Sequence, residues 1–159
     1  MSDVGQSVQL VTFELGEELY GINIMDVNEI VQLQEVRAIP SAPLYVEGII
    51  NLRGAITPII SLHRRFNIQR AGSSQEASLL SGFLILDVQG MQLGVLIDKV
   101  SRVVTIDMAE IREPPQILSG IGKEYIEGVT SDTSGYLIIL DINRLFDPRE
   151  LQQLGQLSG

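Results

Sequence analysis

The second half of the chain repeats the first, and this repeat limits the possible folds more than any other feature. Residues 45–66, YVEGIINLRGAITPIISLHRRF, align with 125–146, YIEGVTSDTSGYLIILDINRLF, at an offset of 80 with six identities in 22 positions. Tyr45 matches Tyr125, Glu47 matches Glu127, Gly48 matches Gly128, Ile59 matches Ile139, Arg64 matches Arg144 and Phe66 matches Phe146. Upstream, an offset of 73 sets Gly21, Ile22, Ile24, Val27, Ile30 and Val31 against Gly94, Val95, Ile97, Val100, Val103 and Val104. Any two β-hairpins share apolar alternation and a glycine, but two blocks recurring in the same order point to a duplicated unit. Each half then holds roughly 70 residues and about five short strands, the size of a small barrel that leaves few sheet edges exposed. Two such halves would enclose a crevice of the kind in which ligands and partner segments dock.

The local pattern is β. Val8–Leu15 reads as a strand, Gly16-Glu17-Glu18 as a turn and Leu19–Ile24 as the hairpin partner. Val46–Leu52 and Ile56–Leu62 read as a second pair joined through Arg53-Gly54, with Pro58 arguing for an edge position or a bulge. Between the pairs, Pro40 and Pro43 remove donors and hold the preceding residues extended, which predicts a fixed connection across the surface. Residues 67–79 are rich in Ser, Gln, Ala and Gly and read as a linker between subdomains at about 8–66 and 80–147 of a single domain. At the end, Asp147 as N-cap, Pro148 at the first helical position and Glu150 three residues on predict a short helix over about 147–157, interrupted by Gly155.

Charge and composition exclude several classes of partner. With 20 acidic and 11 basic side chains the net charge is -9, spread as -4, 0 and -5 over residues 1–66, 67–79 and 80–159. Nucleic-acid binders and anionic membrane surfaces both demand basic clusters, so neither is expected here. The hydrophobic fraction of 45% is ample for a folded core. Zero cysteines fits a reducing compartment, and no basic n-region with an apolar run opens the chain, so a cytoplasmic location without membrane insertion is expected.

Catalytic constellations are scarce. His63, the sole histidine, stands beside two arginines with no carboxylate nearby in sequence, and reads as structural or exposed. No metal-binding spacing occurs, so no metal and no cofactor are expected. Gly120, Gly122 and Lys123 suggest a phosphate loop only superficially, since Ile117 and Glu124 stand where glycine and a hydroxyl are needed. Asp87, Asp98 and Asp141 could form an acid/base pair if the fold gathers two of them in one cleft; the plainer reading is that they end strands or close turns. Tyr20, Tyr45, Tyr125 and Tyr136 are half of the aromatic residues and two of them match across the repeat, so core packing explains them better than base stacking. A binding module is the default, with a small β-barrel enzyme using paired carboxylates as the alternative.

The segment GIINLRGAITPIISL, residues 48–62, closely resembles the hallmark of the CheW family. FELGEELYGINIMDVNEI (13–30), IPSAPLYVEG (39–48), LGVLIDKVSRVV (93–104), EIREPP (110–115) and YIEGV (125–129) are similar to CheW sequences in the same order, so the resemblance spans about residues 8–147. It implies an all-β fold of two intertwined five-stranded SH3-like β-barrels with a few short helices. It also implies a non-catalytic adaptor that binds the cytoplasmic tip of transmembrane chemoreceptors and the regulatory domain of the histidine kinase CheA, at receptor arrays on the inner face of the membrane. The family's receptor groove maps onto Val27, Glu29, Ile30, Gly48, Asn51, Arg53, Val100 and Val103. The valines and Ile30 would supply apolar surface, Gly48 close backbone approach and Arg53 a bidentate bond to a receptor carboxylate. The kinase-contacting residues stay unassigned. A coupling domain of a CheV-type protein is the neighbouring expectation, although no receiver domain follows residue 147.

Overall fold

A computed structural model describes residues 6–66, 68, 81–113, 125–132 and 135–157. The expected linker at 67–79 and the glycine-lysine segment at 120–123 lie outside the described residues, apart from Ile68. Among the described residues ten strands form two five-stranded sheets: β1 (Ser7–Leu15), β2 (Glu18–Asn23), β3 (Val27–Gln32), β4 (Val46–Leu52), β5 (Ala55–Ser61), β6 (Gly82–Val88), β7 (Met91–Ile97), β8 (Lys99–Asp107), β9 (Ile126–Asp132) and β10 (Gly135–Leu140). The first sheet has the order β8-β1-β2-β10-β9 and the second β3-β6-β7-β5-β4. The fold is all-β, with a one-turn helix α1 (Leu62–Phe66) and a terminal helix α2 (Pro148–Leu157).

The duplication explains this topology. If β1–β5 form one repeat and β6–β10 the other, each sheet takes two leading strands from one repeat and three trailing strands from the other. The parallel contacts that join the repeats are equivalent: Ile139 pairs with Gly21, and Ile59 with Gly94. So are the isolated bridges Arg37–Ile49 and Arg112–Val129. The strands cross between sheets just after β2 and just after β7.

Alternation along each strand sends side chains to two different cores. Val11, Phe13 and Leu15 of β1, Leu84 and Leu86 of β6, and Ile138 and Leu140 of β10 join a large cluster shared by both sheets. Their neighbours face away, where Ile59, Phe83 and Ile85 pack within the second sheet and Leu10, Leu137 and Ile139 within the first. Both faces of these strands are buried, so they read in sequence as continuous apolar runs such as FLIL and LIIL.

The identities in the repeat meet where the two copies touch. Tyr45 packs on Phe146 with ring centroids 5.7 Å apart, and Phe66 on Tyr125 at 5.6 Å. The Arg65 guanidinium lies over Tyr45, Tyr125 and Phe146 at 4.7, 5.3 and 5.1 Å. Tyr136 departs from the expected core role and is about half exposed.

Four local expectations need correction. Pro58 sits in β5, an inner strand and not an edge, close to a register shift between Val46 and Gly48 in the β4 pairing, and pairing with β7 begins only at Ile59, so its missing N–H costs no ladder bond on that side. Ile24 leaves β2 to begin a short 3-10 turn capped by Asn23, whose Oδ1 accepts from the Met25 N–H at 2.9 Å. Leu62 opens α1 instead of ending β5. Gly155 does not interrupt α2, which continues to Leu157, and its lack of a side chain admits the Met91 methyl. The predicted cap is present in both directions: Asp147 Oδ1 accepts from the Glu150 N–H at 2.8 Å, and Glu150 Oε1 from the Asp147 N–H at 2.9 Å.

Candidate functional site

The apolar residues of the expected site fall on two strands, β3 at the edge of the second sheet and β8 at the edge of the first. Val27 and Val100 are partly buried against the shared core. Ile30 and Val103 are 43% and 50% exposed, although most apolar residues of the inner strands are buried.

The polar members gather at the β4–β5 hairpin. Leu52 pairs with Ala55, which leaves Arg53 and Gly54 as a two-residue turn with φ of 52° and 89°. Such a turn matches strand twist but asks for left-handed backbone, which glycine supplies freely and arginine does not. Asn51 stabilises it, its Oδ1 accepting from the Gly54 N–H at 2.7 Å. The N-L-R-G motif is therefore first a turn. Its arginine is held by β3, since Arg53 Nη1 donates to Glu29 Oε1 at 2.9 Å and Nη2 donates to Glu29 Oε2. That hydrogen bonding holds the Glu29 carboxyl below the usual carboxylate range. The pair ties β3 to the β4–β5 tip, at opposite ends of the sheet order, so the sheet must curl.

Gly48 admits a close approach, but from the chain itself. It has φ of 151°, and a Cβ there would lie 2.2 Å from the Arg37 carbonyl oxygen. Gly128 faces Arg112 in the corresponding way. Gly48 thus shapes the path of residues 36–37 over β4.

The carboxylates raised as an enzymatic alternative are spread over separate structural tasks. Asp98 is buried, receiving the Gly16 N–H at 2.7 Å and lying 2.9 Å from His63 Nε2. The fold thus gives His63 the carboxylate partner that its sequence neighbours lack, from 35 residues away. Asp87 Oδ1 accepts from the Gly90 N–H, and Asp141 accepts from the Asn143 N–H and pairs with Arg144 at 2.9 Å. Among the described residues no cluster of His, Cys, Asp and Glu is suited to a metal ion.

Sequence reading missed the exposed Met25, Leu33, Leu44 and Ile56. Met25 and Leu33 flank β3 and could have been found as apolar residues just outside a strand. Ile56 matches Tyr136 at the offset of 80, and each borders a cleft, of about 440 and 540 Å³. Neither cleft includes any of the eight expected site residues.

A family model described as the CheW-like domain matches residues 9–150. The chain belongs to the CheW-like family. It is 52% identical over 152 residues to the chemotaxis protein CheW of Treponema pallidum, covering 96% of this chain and 89% of that one. It is 33% identical over 148 residues to the chemotaxis protein CheW of Klebsiella aerogenes, covering 93% and 86%. Its structure matches the crystal structure of the scaffolding protein TtCheW from Thermoanaerobacter tengcongensis with a TM-score of 0.80 and 36% identity over 91% of both chains. The role of this CheW-like chain is that of a chemotaxis scaffold or adaptor. Among the described residues no helix is long and apolar enough to cross a membrane.

Proposed function

We propose that this CheW-like chain couples the cytoplasmic tips of transmembrane chemoreceptors to the regulatory domain of the kinase CheA, without chemistry of its own, at receptor arrays on the inner face of the membrane. The observation that carries the receptor half of this reading is the exposure of Ile30 and Val103 on edge strands, flanked by half-buried Val27 and Val100. A helical segment laid across them would bury apolar surface that the fold leaves wet. Asn51 closes the hairpin turn and Gly48 admits the Arg37 backbone over β4, while the Glu29–Arg53 pair adds a charged pair beside Ile30 on β3.

Arg53 is engaged by Glu29, so a receptor carboxylate would share or take over its guanidinium. The assignment of aspartates to turns and to the His63 contact supports a non-catalytic role. The deciding experiment is a ternary pull-down with CheA and a receptor cytoplasmic fragment, repeated with Arg53→Glu. Capture of both partners, with weaker receptor binding by the variant, is expected; failure of the unaltered protein to bridge them would reject the reading.

A further inference from the structure

The two crossovers between the sheets are equivalent in the repeat but differ at one position. At the offset of 73, Ile24 and Val27 fall on Ile97 and Val100, so Met25 falls on Asp98. Asp98 turns inward: it is 6% exposed, accepts the Gly16 N–H and meets His63, while its backbone N–H donates to the Glu14 carbonyl at 3.1 Å. Met25 turns outward and is 84% exposed. Asn23 caps its turn through the Met25 backbone N–H, so the turn does not depend on the thioether. The position that anchors one crossover therefore sets an apolar sulfur in water at the other.

The chain has four methionines and no cysteine. In such a chain the thioethers are the groups that hydroperoxides attack first, and solvent access governs which of them reacts. Met91 packs against the shared core with its methyl near Gly155, and Met108 is partly buried. Met1 lies outside the described residues. Met25 is thus the most open sulfur among the described residues.

We propose that Met25 is a redox-modification site: its thioether takes an oxygen atom from a hydroperoxide, and the resulting sulfoxide weakens receptor docking on β3. The sulfur lone pair attacks the outer peroxide oxygen, and the S–O bond forms as the O–O bond breaks. With hydrogen peroxide the leaving hydroxide takes up a proton and departs as water. Sulfur is oxidised by two electrons and the peroxide is reduced by two. A dithiol reductase reverses the step, releasing the oxygen as water while its thiols close to a disulfide. The docking half rests on the proposed function and adds regulation to it. Met25 stands two residues before β3, the strand that carries the exposed Ile30. A flexible apolar side chain there extends the surface offered to a helix, whereas a sulfoxide is polar and keeps its water.

Treatment of the full chain with hydrogen peroxide, followed by peptide mass spectrometry, reads the rate at each methionine. Met25 should gain one oxygen at least about tenfold faster than Met91. Affinity for a receptor cytoplasmic fragment should then fall about fivefold. It should recover after treatment with the reductases for both sulfoxide epimers. Met25→Leu keeps the apolar volume without the sulfur, so the ratio of its affinities before and after peroxide should be near one. Oxidation of Met25 no faster than of Met91, or an equal loss of affinity in Met25→Leu, would overturn the inference while leaving coupling intact. If the untreated protein does not bind the fragment, the proposed function falls and the docking effect with it; the modification site is then judged on the oxidation rates alone.

Discussion

Arg65 donates, at 2.8 Å, to the backbone carbonyl of Leu145, the residue that occupies its own position in the second repeat. The same guanidinium meets Glu150 of α2 at 2.5 and 2.7 Å and is capped by three rings, with its side chain only 12% exposed. One side chain therefore joins both repeats and the terminal helix. Removing it strands the Glu150 carboxylate in a partly buried place. Arg65→Ala should cost about 3 kcal/mol, the scale of breaking a buried ion pair from one side. Urea unfolding checks this, and a loss below about 1 kcal/mol would show that the rings alone hold the junction.

The same contact makes α2 sensitive to acid. Hydrogen bonding from Arg65 leads the effects that lower the Glu150 pKa from its ordinary 4.5. A carboxyl depressed in the folded state contributes stability above the unfolded value, and that contribution fades as pH falls through the folded one. The protection factors of the Leu151 and Leu154 amides, taken against the intrinsic exchange rate at each pH, should therefore fall below about pH 4. Glu150→Gln should flatten this dependence; an unchanged profile would assign the acid limb to other groups.

Gly48→Ala should be severely destabilising, by about 3 kcal/mol or more, because the added methyl would sit inside the Arg37 carbonyl on a left-handed backbone. Arg53→Gly at the neighbouring turn should be stability-neutral or better, since it relieves a positive φ while losing an exposed ion pair. Thermal unfolding of the two variants side by side distinguishes a folding role from a contact role. Equal melting temperatures would refute the close-approach argument.

Asp98→Ala removes the acceptor for the Gly16 N–H and the partner of His63, both buried. The expected loss is about 3 kcal/mol, with unfolding remaining cooperative. Asp87→Ala, which frees only an exposed turn N–H, should cost under about 1 kcal/mol. If the two cost the same, the buried contact is not a structural anchor.

Much of the fold could be read from short-range pattern. The hairpins at Gly16 and Arg53-Gly54, the Asp147–Glu150 cap and the repeat all depend on residues close in sequence or on likeness between segments. Strand exchange was implied by the family likeness, as intertwined barrels, and not by any local pattern. The offset makes β5 and β10 equivalent, but the same apolar sequence would suit β2 pairing with either, so local pattern cannot choose between them. Long-range polar pairs were hidden for a related reason. Glu29–Arg53 and His63–Asp98 join residues 24 and 35 positions apart, and nothing beside either residue announces the other. The site was legible as a set of positions through the family likeness, while the finding that Asn51 and Gly48 act on the chain's own backbone required the fold.

Because each sheet borrows strands from both copies, severing the polypeptide between α1 and β6 would not release two smaller proteins. Each fragment would carry an unfinished sheet and an oily flank shaped for the other. Mechanically, the copies resemble two clasped hands. A force applied at either rim is borne by the whole polypeptide, so strain from a bound neighbour cannot stay confined to the half it touches.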